Sequence, residues 1–312
     1  MRALRALSAA ALSLVLVALF ASPLPAASPA RIHQDAAPKP DPHKIEKLSD
    51  NVYCIFGEGG NIGLIVTKHH AILIDDQFER LVPGLLKVVK SVTDKPIKYL
   101  INTHHHGDHV GGNIALEKQV QVIVAHTNVR RRMELAQAKL EPAKQGGLPE
   151  ITFGEMDPKV RSVLAINLDG TEIHLAHFGA GHTDGDVLVG MPSAHFMHMG
   201  DIFFNGLTPY IDLGSGGSLA GMIANLDAVL SFLPEDAKVI PGHGPVGGKK
   251  DVIRSRNFLK AVQKHVETNP AKTGKELDDS FDHKAWSDFH DLSPFLSWDK
   301  FFDIAAGRSP KK

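Results

Sequence analysis

Residues 102–113 read NTHHHGDHVGGN, and this stretch constrains the chain more than any other. His104, His105, His106, Asp108 and His109 fall within six positions. Neutral imidazole and carboxylate are ligands for divalent cations, zinc above all, with four or five donors per ion. The apolar run 97–102 leads into the cluster as a strand. In extended backbone alternate side chains share a side, so His104 and His106 point together and His105 points away. Asp108 and His109 follow where the chain turns into a helix predicted from 110 to 117, and Gly107, Gly111 and Gly112 permit tight turns and close approach. Two imidazoles on one side, then a carboxylate and an imidazole, can serve two adjacent cations. One loop cannot fill two coordination spheres, so the fold must bring further ligands to this place.

Three strand-to-loop junctions offer them. Gly181-His182-Thr183 follows a strand predicted over 172–177, Gly200-Asp201 follows one over 195–199, and Pro241-Gly242-His243-Gly244 follows a short one over 239–240. Each sets one ligand residue beside glycine at the end of an apolar run. Loops held at strand ends by a rigid scaffold are where sites are usually built. Further strands are expected over 52–56, 63–67, 71–74, 120–125, 163–168 and 187–191. Helices are expected over 81–92, 128–139, 218–233 and 251–267, and the Pro- and Gly-bearing segment 140–159 reads as loop. Gly57-Glu58-Gly59-Gly60-Asn61 is a hairpin turn between the first two strands. Strands in runs, with helices between and after them, imply two sheets in contact with helices outside.

The N-terminus has a different character. Arg2 and Arg5 precede an uncharged, mainly apolar run over 9–21, followed by Pro23, Pro25 and small residues. That is the pattern of a cleaved secretory signal, assigned to 1–27. Its apolar core is too short for a membrane span, so no stable membrane anchor is expected after cleavage. Residues 28–44 read as an extended leader and 45–312 as one domain. Export implies a periplasmic or secreted protein. Cys54 is the only cysteine, so no internal disulfide can form, and stability must come from a core or a metal. Loss of Arg2 and Arg5 takes the formal charge from −1 to −3. A near-neutral chain lacks the basic footprint of a nucleic-acid binder.

His104-x-His106-x-Asp108-His109, followed in order by His182, Asp201 and His243, resembles the metallo-β-lactamase superfamily across nearly the whole mature chain. The resemblance implies an α/β (α+β) fold, a four-layer αββα sandwich with a dinuclear zinc site at one edge. By that likeness His104, His106 and His182 hold the first metal. Asp108, His109 and His243 hold the second, and Asp201 bridges the two or joins the second. Iron or manganese could stand for zinc. Asp75 matches an acidic position that orients a ligand histidine. Asp108 would orient a water activated by the metals and take up its proton, so it is also the expected catalytic residue. The sequence offers no competing protein nucleophile, having no GxSxG motif and no sign of an activated Cys54.

Within that family the spelling THHHGDHVGGN is similar to class B β-lactamases. Two departures stand against that subclass. Asp201 occupies the place of its zinc-binding cysteine, and Phe204 that of the lysine that holds the drug's carboxylate. Aspartate at the bridging position resembles glyoxalase II, yet the segment after His243 is short for a glutathione-binding extension. The reading is therefore an exported dinuclear zinc hydrolase acting on a small-molecule ester, thioester, lactone or amide. A class B β-lactamase is the alternative. A non-hydrolytic metal protein of a sulfur-oxidation or quinoprotein pathway is the alternative from another class. Asn205, Tyr210 and Asp212 are expected to line the substrate pocket. His69 and His70 read as surface, and His126, His177, His195 and His198 as satisfied or exposed strand-end histidines. Cys54 reads as a small buried hydrophobe. Trp286, Phe289, Phe295, Trp298, Phe301 and Phe302 read as helix-packing core rather than a substrate lid.

Overall fold

The computed structural model describes residues 41–157 and 159–309. The predicted signal, 1–27, and the leader as far as residue 40 lie outside the described residues. Seven strands form one sheet in chain order: β1 (Lys44–Lys47), β2 (Val52–Phe56), β3 (Ile62–Val66), β4 (Ala71–Ile74), β5 (Ile97–Ile101), β6 (Val120–His126) and β7 (Ile151–Phe153). Five more form a second sheet: β8 (Ser162–Leu168), β9 (Thr171–His177), β10 (Leu188–Met191), β11 (Phe196–His198) and β12 (Lys238–Ile240), in the order β12-β11-β10-β9-β8. The first sheet is antiparallel from β1 to β4 and parallel from β4 to β7. In the second, β12 runs parallel to β11.

Strand periodicity decides what each face meets. Val52, Cys54, Ile72, Ile74, Ile101 and Val124 face Ile173, Leu175, Val189, Phe196 and Ile240 across the gap between the sheets. The alternate residues Leu64, Leu73, Leu100 and Ile123 face outward onto Leu85 and Val89 of α1 (Val82–Val92). Two single turns, α2 (Gly107–Val110) and α3 (Asn113–Leu116), and α4 (Thr127–Gln137) follow in the first half. Beyond the second sheet, Leu188, Met197 and Val239 pack on α5 (Leu219–Leu230) and α6 (Lys249–Thr268). α7 (Gly274–Ser280) and α8 (Trp298–Ala305) complete that layer. The four layers are α, β, β, α, the sandwich expected from the sequence. No helix among the described residues is long and apolar enough to cross a membrane.

The departures have local causes. The helix predicted over 110–117 is broken into α2 and α3, with Gly111 and Gly112 at the join. β7 lies in the segment read as loop. It is three residues long and exposed, so it carries no alternating signal. β1 is charged and exposed throughout, an edge strand on which no buried face is imposed. In the aromatic tail Phe289, Phe301 and Phe302 enter the core beside Trp286 and Trp298, but Phe295 is 66% exposed.

The strands deliver the ligand-type residues to one place. Asp75 follows β4, residues 102–106 follow β5, His182 follows β9, Asp201 follows β11 and His243 follows β12. All five segments leave the carboxyl ends of strands, where open α/β sheets build their sites.

Candidate metal centre

The centre is built on Asp75, which turns the chain sharply after β4 with a left-handed φ of 63°. Asparagine and aspartate tolerate that region better than most residues, yet it still carries strain. The fully buried carboxylate uses the position well. Oδ1 accepts from Thr103 N at 2.7 Å, and Oδ2 accepts from Thr103 Oγ1 at 2.7 Å. The same Oδ2 lies 2.7 Å from His109 Nδ1. One aspartate thus fixes both the start of the histidine loop and its last histidine.

Four imidazoles are held by one nitrogen, leaving the other for the centre. Besides His109, His104 Nδ1 lies 3.1 Å from Thr103 Oγ1, His182 Nδ1 2.7 Å from the Tyr210 carbonyl, and His106 Nε2 3.0 Å from Asp212 Oδ2. Partners of this kind fix the tautomer and aim of a metal-binding imidazole. The remaining nitrogens converge. His106 Nδ1 and His182 Nε2 are 2.9 Å apart. Asp201 Oδ2 lies 3.4, 3.6 and 3.8 Å from Nε2 of His182, His243 and His104. Asp201 Oδ1 lies 3.1 Å from His109 Nε2. Asp108 Oδ2 lies 3.3 Å from His243 Nε2 and 3.7 Å from His109 Nε2.

These distances resolve into two sets. Donor atoms of His104, His106, His182 and Asp201 lie within 4.8 Å of one another, and so do those of Asp108, His109 and His243. Asp201 touches both. His104 Nε2, His109 Nε2 and Asp201 Oδ1 are buried without a properly aligned hydrogen bond. Leaving such atoms unpaired costs about 1–3 kcal/mol each, and a cation in each donor set would satisfy them. Nitrogen and carboxylate donors at this spacing fit zinc. Two glycines keep the space open. A Cβ on Gly242 would come within 1.9 Å of Asp201 Oδ1, and one on Gly60 within 2.1 Å of the His109 ring.

The charges follow from burial and from one another. Burial, then the neighbouring His109, holds His104 well below the usual imidazole range. Burial also takes His182 down to about 4. For His243 burial acts downward, but the carboxylates of Asp201 and Asp108 outweigh it and hold the ring up at about 9. Burial acts upward on Asp201, and the surrounding imidazoles, His109 and His243 foremost, hold it ionised. The centre therefore holds ionised carboxylate beside imidazoles of two kinds: His104 and His182 kept neutral by burial, and His109 and His243 raised by the carboxylates they face.

All seven residues expected as ligands come together here, and Asp75 lies against His109 as expected of an orienting carboxylate. The expected pocket residues divide. Tyr210 stands beside the centre, its ring 6.0 Å from those of His106 and His182. Asp212 is turned instead onto His106 Nε2 and onto Ser215, whose amide it caps. Asn205 donates to the Pro245 carbonyl and shapes the His243 loop. His105 turns away from the seven, its Nε2 3.3 Å from Ser215 Oγ, although it groups with His106 and Asp212. Phe204 is 2% exposed and stacked on His243 at 5.1 Å, so this position faces packing rather than an open pocket. Sequence reasoning missed Thr103 and the working role of Asp212, whereas His198 is a satisfied strand-end histidine, as expected. His198 ties the Asn61 carbonyl to the loop of Asp201 by accepting from Gly200 N. An aspartate 106 positions from its histidine leaves no local signal.

Residues 55–243, well over half of the chain, match the sequence profile of the metallo-beta-lactamase superfamily. The chain belongs to that superfamily. Its members are mostly metallo-hydrolases and bind metal ions, typically zinc. The metallo-beta-lactamase type 2 of Bacteroides fragilis is 26% identical over 240 residues, covering 73% of this chain and 88% of that protein. Hydroxyacylglutathione hydrolase GloC of Haemophilus influenzae is 28% identical over 195 residues, 62% of this chain and 88% of its own length. Among solved structures, the metallo-beta-lactamase from Pontibacter korlensis superposes with a TM-score of 0.58 at 21% identity, over 70% of this chain and 99% of that one. It shares the fold. The superfamily thus accounts for the sandwich and for metal binding, and the relatives of this chain include both metallo-beta-lactamases and hydroxyacylglutathione hydrolases.

Proposed function

We propose that this protein is an exported dinuclear zinc hydrolase that cleaves a small ester, thioester, lactone or amide. The observation that carries the reading is the pair of convergent donor sets with Asp201 between them. His104, His106 and His182 would hold one ion, and Asp108, His109 and His243 the other, with Asp201 reaching both. Bound there, zinc would supply a water acidic enough to ionise near neutral pH and an electrophilic partner for a carbonyl oxygen. The protein's own groups do the rest. Asp75, Asp212 and the Tyr210 carbonyl hold the imidazoles in the tautomer that leaves one nitrogen inward. Asp108 is the more open of the two carboxylates, 28% exposed against 5% for Asp201, and would orient an attacking water and accept its proton. Export rests on the charged start and apolar run of residues 1–27.

β-Lactam hydrolysis is the second reading, favoured by the similarity to the Bacteroides fragilis enzyme. Phe204 weakens it. Its buried ring leaves no cation at the place where the sequence comparison sought one for the drug's carboxylate.

The test is a hydrolysis panel on zinc-loaded protein, setting nitrocefin and a carbapenem beside a lactone, a thioester and an aryl ester. Turnover of the last three above that of the β-lactams, at about two zinc per chain, supports the proposal. A coloured iron protein that hydrolyses none of them would overturn it in favour of redox chemistry.

A further inference from the structure

The C-terminal segment returns to the metal centre and sets an aromatic ring beside it. Thr208 N donates to the His290 carbonyl at 2.9 Å, and His290 N donates to the Gly206 carbonyl at 3.0 Å. This short pairing ties the segment to the loop that runs from Asp201 to Tyr210. A tight turn follows, closed by Leu292 N to Leu296 O at 2.9 Å and Phe295 N to Leu292 O at 2.8 Å. Leu296 is buried in the outer core and Leu292 packs against it. Both ends of the turn are therefore anchored, and Phe295 is presented at its tip.

The ring of Phe295 is 66% exposed and stands 5.5 Å from that of Tyr210, edge to face. Tyr210 in turn lies 6.0 Å from His106 and from His182. The other five aromatics of the tail pack in or against the outer core. Phe295 alone of them is exposed, and it stands against Tyr210, the ring beside the donors. The two rings, set at 65° to each other, offer an apolar surface on the side of Tyr210 away from the donors. The charge beside it is negative: the Asp212 carboxylate, which reaches His106, also acts on Tyr210.

We propose that Phe295 and Tyr210 form a shelf that binds an alkyl or aryl arm of the substrate, so that the enzyme selects uncharged substrates carrying such an arm. The inference rests on the hydrolase reading and names the substrate class within it. Rings exposed beside a cleft gain by covering apolar surface and by edge or face contacts. An anionic arm at the same place would be repelled by the Asp212 carboxylate.

Two lactones with the same ring separate the arm from the chemistry: γ-butyrolactone and γ-decanolactone, compared in wild type, Phe295→Ala and Phe295→Leu. The expected result is a kcat/KM ratio favouring the long lactone by about tenfold or more in wild type. Phe295→Ala should lose most of that ratio, chiefly through KM, and Phe295→Leu should keep much of it. Zinc content and melting temperature should not change. A ratio unmoved by Phe295→Ala overturns the shelf. A second arm does not need turnover: butyrate and octanoate, the acids of such arms, are titrated calorimetrically into the zinc-loaded protein. Tighter octanoate binding that Phe295→Ala abolishes supports the shelf even if neither lactone is hydrolysed, in which case the hydrolase reading fails instead. Equal binding of the two acids by wild type overturns the shelf.

Discussion

Two parts of the fold bury imidazoles, one several and the other a pair, and they have little else in common. At the metal centre His104, His109 and His182 are buried and His106 and His243 nearly so, each with a nitrogen aimed at Asp201, Asp108 or a neighbouring ring. Behind the histidine loop, His126 and His177 are equally buried and stack at 4.2 Å with 26° between planes. There His126 Nδ1 accepts from Asn128 N, and His177 Nδ1 lies 2.8 Å from the Asp186 carbonyl. The ligand-type clusters among the described residues include neither of the pair. Burial and number of histidines are the same kind of fact in both regions. What separates them is the convergence of carboxylate oxygens with nitrogens whose far side is already held.

The largest effect should come from removing that convergence. Asp201→Ala takes away a carboxylate that faces four histidines. Zinc retained after gel filtration should fall from about two per chain to one or fewer, with hydrolysis lost. His106→Ala and Asp108→Ala should abolish hydrolysis while the fold largely survives. His126→Asn should keep the full zinc complement. If Asp201→Ala retained two ions and wild-type turnover, the centre would be no more a metal site than the stack.

The next effect concerns the groups that aim the donors. Asp75→Asn and Asp212→Asn preserve shape but weaken the hold on His109 and His106. Removing such a partner costs about 10–100-fold in metal affinity, readable as zinc lost to a chelator of known strength. The two substitutions should act on different ions, so the double variant should lose roughly the product of the single effects. An effect confined to melting temperature, with zinc affinity unchanged, would make both carboxylates mere packing.

The stack should respond to pH where the centre responds to metal. Burial, reinforced by His177, lowers His126 to about 4. Between that value and about 6.5 the unfolded chain binds the proton more readily than the folded one. Its contribution to stability is therefore complete above about pH 6.5 and is lost as pH falls toward 4. The slope from this one residue is at most about 1.4 kcal/mol per pH unit. Asparagine keeps the cap on α4 and does not titrate. Urea midpoints at pH 5 and pH 7 should therefore differ less in His126→Asn than in wild type. Zinc released by acid affects both proteins alike and drops out of the comparison. Equal pH gaps in the two proteins would remove the stack as a source of acid sensitivity.

Much of this contrast was legible in the sequence, and the reason is physical. The ligands of the centre crowd into one loop or stand beside glycine at strand ends, because close approach to Asp201 and His109 excludes a Cβ. The strand that carries Asp75, 71–74, is buried on both faces and reads as an apolar run, and the strand before His182 shows alternating burial. His126 and His177 carry no such spacing, and the bland reading suited them. What escaped was long-range and polar. Asp212 reaches His106 across 106 positions, and Phe295 reaches Tyr210 only because the 288–297 segment pairs with the loop after Asp201. Short edge strands such as β1 and β7 escaped because exposure removes the alternation that marks a strand.

The smallest effect belongs to His105, which lies between the two regions in character. Strand alternation turns it from the seven donors, and the structure sets its Nε2 3.3 Å from Ser215 Oγ, with Nδ1 buried and without a hydrogen bond. Burial first, then His106 and Arg132, takes it down to about 3, so it stays neutral. Like the stack it is a buried neutral ring; like the centre it sits beside Asp212, which holds His106. His105→Ala removes an unsatisfied nitrogen along with some packing, and the two partly cancel, leaving stability within about 1 kcal/mol of wild type. Zinc affinity should change by less than Asp212→Asn changes it, because Asp212 keeps its bonds to His106 and Ser215. If instead His105→Ala strips an ion outright, the trio of His105, His106 and Asp212 is itself a ligand set. The boundary between aiming groups and donors then has to be moved outward by one residue.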